Sequence, residues 1–305
     1  MGSLCFYAMI PYISVSDFYK EKFGCKVYKI SLDSGCTCPN RDGTKGWGGC
    51  IFCSESGSGD FVPERQISVT EQILRAKQLV MPKIKGVGKF IAYFQNFSAT
   101  YGDSDRLEEM YREALSAEDV VGLAVATRPD CIGDDMLRRL ARLSDESFVQ
   151  LELGLQTSNE KTGALINRCY TNLDFADCVA RIRKAAPSIH IVAHAIFGLP
   201  YETSTDMLNT VRFICGHKVD GIKLTVLYVL KNTRLADLYS QKRFDALSKD
   251  AYFEVLKAAL QLIPKDMVVH RITGDPPKSI VIAPLWTLDK KRVINDLRKF
   301  LNMPD

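Results

Sequence analysis

The chain has 305 residues, 46% hydrophobic and 25% charged, with a formal net charge of +4 at pH 7. This composition describes an ordinary globular protein, large enough to build its core without disulfide staples, and no apolar run approaches the ~20 residues a membrane span requires. The mild positive balance permits a polyanionic partner without demonstrating one, and the N-terminus carries neither a charged n-region nor a small-residue cleavage site, so a cytoplasmic protein with reduced thiols and no membrane contact is expected.

The first strand-sized run is "KVYKISLD" (26–33). It leads into the loop "CPNRDGTKGWGGCIFC" (38–53), where glycines between 43 and 49 separate three cysteines. Ten cysteines occur in all. Six are scattered, as small core residues often are, whereas Cys36, Cys38, Cys50 and Cys53 crowd together. In a reducing compartment such crowding points to metal or redox chemistry. Cys50 and Cys53 form the only close C-x-x-C pair of the cluster, and no matching pair follows later. Three thiolates can hold zinc or an iron–sulfur centre, and three ligands would leave one metal position open.

A helix opens at Ser68, with Glu71 three residues on as in a capping box, and runs over 68–80. Further strand-sized runs lie at 89–97, 120–128, 148–157, 189–199 and 221–230. Helical spacing of apolar residues appears at 134–143, 173–186, 205–217 and 249–263. Strand and helix alternate through six units, which argues for parallel strands joined by right-handed crossovers, either as an open partial barrel or as a doubly wound sheet. In both architectures ligands sit at the carboxyl ends of the strands. Gln95, Asn96, Thr127 to Asp130, Gln156, Thr157 and Gly198 to Thr203 all fall there, on the same rim as the cysteine loop. Within 148–157, Gln150, Glu152, Gly154 and Gln156 share one face and Val149, Leu151, Leu153 and Leu155 the other. Within 189–199, His190, His194, Ile196 and Gly198 share a face. A polar strand face under a layer of helices most simply lines a cavity.

The cysteine loop resembles the cluster motif of the radical S-adenosylmethionine (SAM) enzymes. It is similar to the branch of the Elongator catalytic subunit, and closer still to a small bacterial family with "CPNRDG…GGC-x-FC". "TRPD" (127–130), "ELGLQT" (152–157), "LINR" (165–168), "GLPYET" (198–203) and "HRITGD" (270–275) carry the likeness along residues 20 to 300. The resemblance implies an α/β fold, a partial (β/α)6 TIM-like barrel. It implies a [4Fe–4S] cluster ligated by Cys38, Cys50 and Cys53, with SAM on the fourth iron, cleaved reductively to a 5′-deoxyadenosyl radical that abstracts hydrogen from the substrate. By the same resemblance Phe52 packs near adenine and Gln95 meets the methionyl amino group. Thr127 joins the cofactor contacts, and Gln156 bonds the ribose. Arg168 pairs with the methionyl carboxylate, and Ile196 and Gly198 run along the adenine. Relatives carry phenylalanine at the position of Cys36, which is taken as packing. Close relatives carry histidines near Thr225 and Tyr228, a departure on the substrate side.

Glu152 and His194 are the candidate catalytic residues, because strand alternation turns both toward the cavity, with His194 nearest the cofactor segment. His270, Arg271 and Asp275 are further candidates to face the substrate. The expected division is an N-terminal segment (1–25) packing on the barrel, a core barrel (26–263) and a C-terminal extension (264–305) closing it. The expected substrate is a wobble uridine in tRNA, with an external flavodoxin- or ferredoxin-type electron donor. The alternatives are a small metabolite, as in porphyrin or cofactor biosynthesis, or a non-catalytic iron–sulfur protein.

Overall fold

A computed structural model describes residues 12–57, 67–84 and 88–301. The expected N-terminal and C-terminal segments therefore lie partly outside the described residues, as does Cys5.

Eight parallel strands form one sheet: β1 (Ile13–Ser14), β2 (Lys26–Leu32), β3 (Gly88–Phe94), β4 (Val120–Thr127), β5 (Phe148–Gln156), β6 (His190–Phe197), β7 (Gly221–Val226) and, beyond a short β8 (Val229–Leu230), β9 (Val268–Arg271). Their spatial order is β1-β9-β7-β6-β5-β4-β3-β2. Both edges are bridged from below by α1 (Val15–Phe23), which packs on β2 and on β9. The sheet is thus curled into a partial barrel, which decides between the two architectures open from the alternation. α1 starts at a Ser14 cap on the Asp17 amide and stops at Gly24, whose φ of 70° is the left-handed region glycine enters freely.

The outer layer consists of α2 (Val69–Val80), α3 (Ser104–Ser116), α4 (Asp134–Glu146), α5 (Glu160–Leu165), α6 (Asn172–Ala185), α7 (Ser204–Cys215), α8 (Arg234–Ser240), α9 (Lys249–Leu262) and α10 (Lys290–Leu301). α6 and α7 carry full capping boxes, Thr171 with Asp174 and Thr203 with Asp206. Val149, Leu151, Leu153 and Leu155 are each at most 1% exposed and belong to the large core between sheet and helices. A smaller aromatic cluster around Tyr19, Tyr93, Phe18 and Phe148 fills the amino-terminal end of the barrel.

The chain departs from the sequence expectation in three places. α3 stands where no helix was assigned; its Asp103 cap and its buried Leu107, Tyr111 and Ala114 account for it. The 221–230 run breaks after Val226, and β8 turns to pair antiparallel with β10 (Val281–Ala283). The tail read as a closing extension supplies β9, an integral strand beside β7. Among the described residues no helix is long and apolar enough to cross a membrane.

Candidate active site

The cysteine loop leaves the carboxyl end of β2 and is clasped from both sides. Asn40 donates from Nδ2 to the Asn167 and Arg168 carbonyls at 2.6 and 3.2 Å. Asn167 donates in return to the Gly49 carbonyl at 2.8 Å. Two asparagines therefore fasten residues 40–49 to the turn before α6, and the "LINR" motif acts here through its asparagine.

Cys38, Cys50 and Cys53 are partly buried and line one cavity of about 230 Å³ at the carboxyl end of the sheet. A hydrogen bond with Cys53, and burial, push the Cys50 thiol well above its usual range. Such a thiol holds its proton until a cation replaces it. Arg128 reaches to 3.8 Å from the Cys38 sulfur. Its Nε and Nη2 are held by Asp130 at 2.9 and 2.8 Å, and Lys45 also pairs with Asp130 at 2.7 Å. Arg128 was not singled out from the sequence, although it sits inside the "TRPD" motif at the end of β4. Among the described residues the Oδ1 of Asn40 is buried without a partner. Among the described residues no three His, Cys, Asp or Glu side chains converge on a single-ion site. A cubane carries one thiolate per iron, so its ligands need not converge on one point. The donor chemistry of the loop therefore fits an iron–sulfur cluster. Cys36 points elsewhere: it is 3% exposed, part of the main core, and 3.8 Å from Arg106 of α3.

Phe52 and Gln95 line this cavity and an adjoining lobe of about 320 Å³, while Thr127 and Gln156 line the first and Ile196 the second. The Thr127 hydroxyl shares a 2.6 Å hydrogen bond with Thr100 and sits behind the wall. Tyr170 donates to Gln156 Oε1 at 2.7 Å and fixes that amide.

Four sequence expectations need correction. Arg168 is 1% exposed and all five of its N–H groups are engaged: Nε by the Tyr170 carbonyl, Nη1 by those of Leu155 and Thr157, Nη2 by Glu160 and Asn172. It has no donor left for a carboxylate ligand and lines neither lobe. Gly198 lines neither lobe either; its backbone N–H faces the Met207 sulfur, and a Cβ there would meet Leu247 at 2.8 Å.

Glu152 does face the cavity, but as a buried counter-ion. Lys29 approaches Oε1 at 2.5 Å, the Gln150 amide at 2.6 Å, and Tyr93 donates to Oε2 at 2.5 Å; Lys223 also binds Oε2. Burial alone would raise its pKa, yet Lys223 and Lys29 outweigh burial and hold it well below the carboxylate range. These cations favour its ionised form. His194 lies 3.0 Å from Glu152 through Nε2. Burial and the neighbouring Lys223 push its pKa down to about 4, so it is neutral at pH 7 and can orient a group but not titrate there. Lys223 itself is pushed by burial down to about 7. His190 lies below the cavity, stacked on Phe18 of α1 at 4.7 Å and 2.8 Å from His270 through the two Nε2 atoms.

The radical SAM superfamily matches residues 38–214 and the radical SAM C-terminal domain residues 219–303. The Bacillus subtilis protein YtqA is 40% identical over 290 residues, covering 95% of this chain and 89% of YtqA. The tRNA-2-methylthio-N(6)-dimethylallyladenosine synthase of Acetivibrio thermocellus is 24% identical over 195 residues, 62% of this chain and 40% of that protein. Among solved structures, the archaeal Methanocaldococcus infernus Elp3 superposes with a TM-score of 0.66 at 15% identity, over 90% of this chain and 63% of that one, a likeness of fold. With both family segments matched in order on a curled parallel sheet, the chain belongs to the radical SAM superfamily, enzymes that use a [4Fe–4S] cluster and SAM.

Proposed function

We propose that this radical SAM enzyme modifies the wobble uridine side chain of a tRNA, with its cluster held by Cys38, Cys50 and Cys53. The observation that carries the cofactor part is the meeting of these three thiols, fastened by Asn40 and Asn167, at one cavity mouth. When bound, the cluster and SAM supply the reducing electron and the 5′-deoxyadenosyl radical. The chain binds and shields them. Phe52 offers a ring for the adenine, Gln95 and the Tyr170-fixed Gln156 offer amides for the methionyl and ribose groups, and Ile196 offers an apolar wall. Arg128 supplies the positive charge beside the thiolates that Arg168 cannot. Thr127 contributes through its place in the wall. α1 closes the opposite end of the barrel, so water is excluded from below, which radical chemistry requires. His194, neutral at pH 7, orients the substrate; Glu152 holds the cations around it.

The tRNA part rests on the relative whose name states a tRNA reaction and on the positive balance of the chain. The reaction takes place in the cytoplasm with an external flavodoxin- or ferredoxin-type donor. Mass spectrometry of tRNA nucleosides from a deletion strain and its parent tests it. A wobble-uridine species that disappears, with a precursor accumulating, is the expected result. Identical nucleoside profiles would overturn the tRNA assignment while leaving the family membership untouched.

A further inference from the structure

Two cations stand side by side on neighbouring strands. Lys223 on β7 and Arg271 on β9 are register partners across parallel strands, and both line the cluster-side cavity. Like charges side by side on a sheet are destabilising unless anions or solvent compensate them. Lys223 has its anion in Glu152. Among the described residues Arg271 has no ion pair or side-chain hydrogen bond; it is exposed, and its side chain borders both lobes. The two carboxylates that line these walls are already taken: Glu152 by Lys29 and Lys223, Asp275 by Lys290 at 2.9 Å. The inner walls therefore carry more positive charge than their carboxylates neutralise, with the exposed Arg271 guanidinium left to solvent or a ligand.

A second observation points to the same place. Tyr228 lines the outer lobe with Arg271, and its hydroxyl is buried with no hydrogen-bond partner among the described residues. An unsatisfied buried hydroxyl is costly and rare unless water or a ligand completes it. Burial raises its pKa, so it stays a protonated donor. Gly274 keeps the space for it, since a Cβ at that position would lie 1.3 Å from the Tyr228 oxygen. A guanidinium with no ion pair among the described residues and an unpaired buried hydroxyl thus border one lobe, which is also lined by Phe52 and Ile196.

We propose that Arg271 and Tyr228 form an oxyanion site that binds a carboxylate or phosphate group of the substrate and so holds it across the cavity from the cysteine loop. The proposal rests on the reading of the cysteine side as the cofactor end. A guanidinium suits either anion because its planar N–H pair matches two oxygens at once. The carboxylate would belong to a modified base, the phosphate to a nucleotide backbone, and the probes separate them.

Calorimetry on the cluster-reconstituted, SAM-bound protein would compare uracil-5-carboxylate with uracil-5-carboxamide, and uridine 5′-monophosphate with uridine. The expected result is at least tenfold preference for one anionic probe over its neutral counterpart. Arg271→Gln should abolish that preference, Arg271→Lys should keep part of it, and Tyr228→Phe should weaken it severalfold. Preference for the uracil carboxylate assigns the base side chain as the source; preference for the monophosphate assigns the backbone. Equal binding of anionic and neutral probes, absence of binding at millimolar concentration, or a preference that survives Arg271→Gln overturns the site. So does a drop in SAM affinity in Arg271→Gln equal to that for the probe, which would give Arg271 to SAM instead. Iron content and SAM affinity of the wild-type preparation judge the cofactor reading separately: failure there strikes that reading, and intact values with no anion preference strike this one alone.

Discussion

Replacing Glu152 by glutamine tests the electrostatic arrangement on which the inner cavity depends. The carboxylate is fully buried, while the side chains of Lys29 and Lys223 are 20% and 8% exposed. Glutamine keeps the shape but removes the one anion these ammonium groups share. Removing one partner of a buried ion pair costs about 3–5 kcal/mol, because an uncompensated charge stays behind. Here the loss falls at the lower end near pH 7. Lys223, held at a pKa of about 7, can shed its proton there at little cost, so Lys29 is the main stranded charge. Each pH unit below 7 makes that escape about 1.4 kcal/mol dearer. Urea unfolding followed by circular dichroism should therefore give a loss of about 3 kcal/mol at pH 7 that grows toward pH 6, a large share of the ~5–15 kcal/mol total for a globular protein. Glu152→Gln combined with Lys223→Met should recover part of it. A loss below about 1 kcal/mol, or a double variant no more stable than the single one, would refute the reasoning.

Lys223 gives wild-type stability its own pH dependence. Its folded pKa is depressed from 10.5 to about 7, so the unfolded chain binds the extra proton between those values, and stability falls as pH drops from about 10 to 7. Lys223→Met should flatten that slope in unfolding experiments; an unchanged slope would mean the depression is absent. Anaerobic reconstitution should give about four irons per chain, as a thiolate-held [4Fe–4S] cluster requires, with the brown chromophore lost in Cys38→Ala, Cys50→Ala and Cys53→Ala and kept in Cys36→Ala. Loss in Cys36→Ala with retention in Cys38→Ala would reverse the ligand assignment. Arg168→Ala strands the carbonyls of Leu155, Thr157 and Tyr170, at about 1–3 kcal/mol each when buried, so it should act on stability and leave SAM affinity of the folded fraction within about threefold. A tenfold loss of SAM affinity with normal stability would place Arg168 on the cofactor after all.

What could be read from the chain, and what could not, divides by range. The alternation of Val149, Leu151, Leu153 and Leu155 against Gln150 and Glu152 is a local pattern with a period of two, and the strand obeys it: the first set packs under the helices and the second turns inward. The rim position of the cysteine loop follows from one strand and the parallel rule, again a local inference. Arg168 shows the limit. Spacing placed it near the rim, but its direction is set by three carbonyls that bracket it, and no pattern in "LINR" records where those carbonyls point. β9 is four residues long, too short for periodicity to separate from a tail, and only its neighbour β7 identifies it as a strand.

The charged cluster was out of reach for the same reason on a larger scale. Glu152 meets Lys29 across 123 positions and Lys223 across 71, and the three share a point only because the sheet curls. The curl also explains why those charges are tolerable. A flat sheet would leave the inner face of β2, β5 and β7 open to water, where the pairs would be weak. Bridged by α1 and filled from below by Phe18, Tyr19, Tyr93 and Phe148, the barrel makes its amino-terminal half dry and apolar, so charge on the inner face must neutralise itself or wait for a ligand. Glu152, shared by Lys29 and Lys223, does the first in part. Arg271, at the end of β9 where the filling stops and the cavity begins, is positioned for the second.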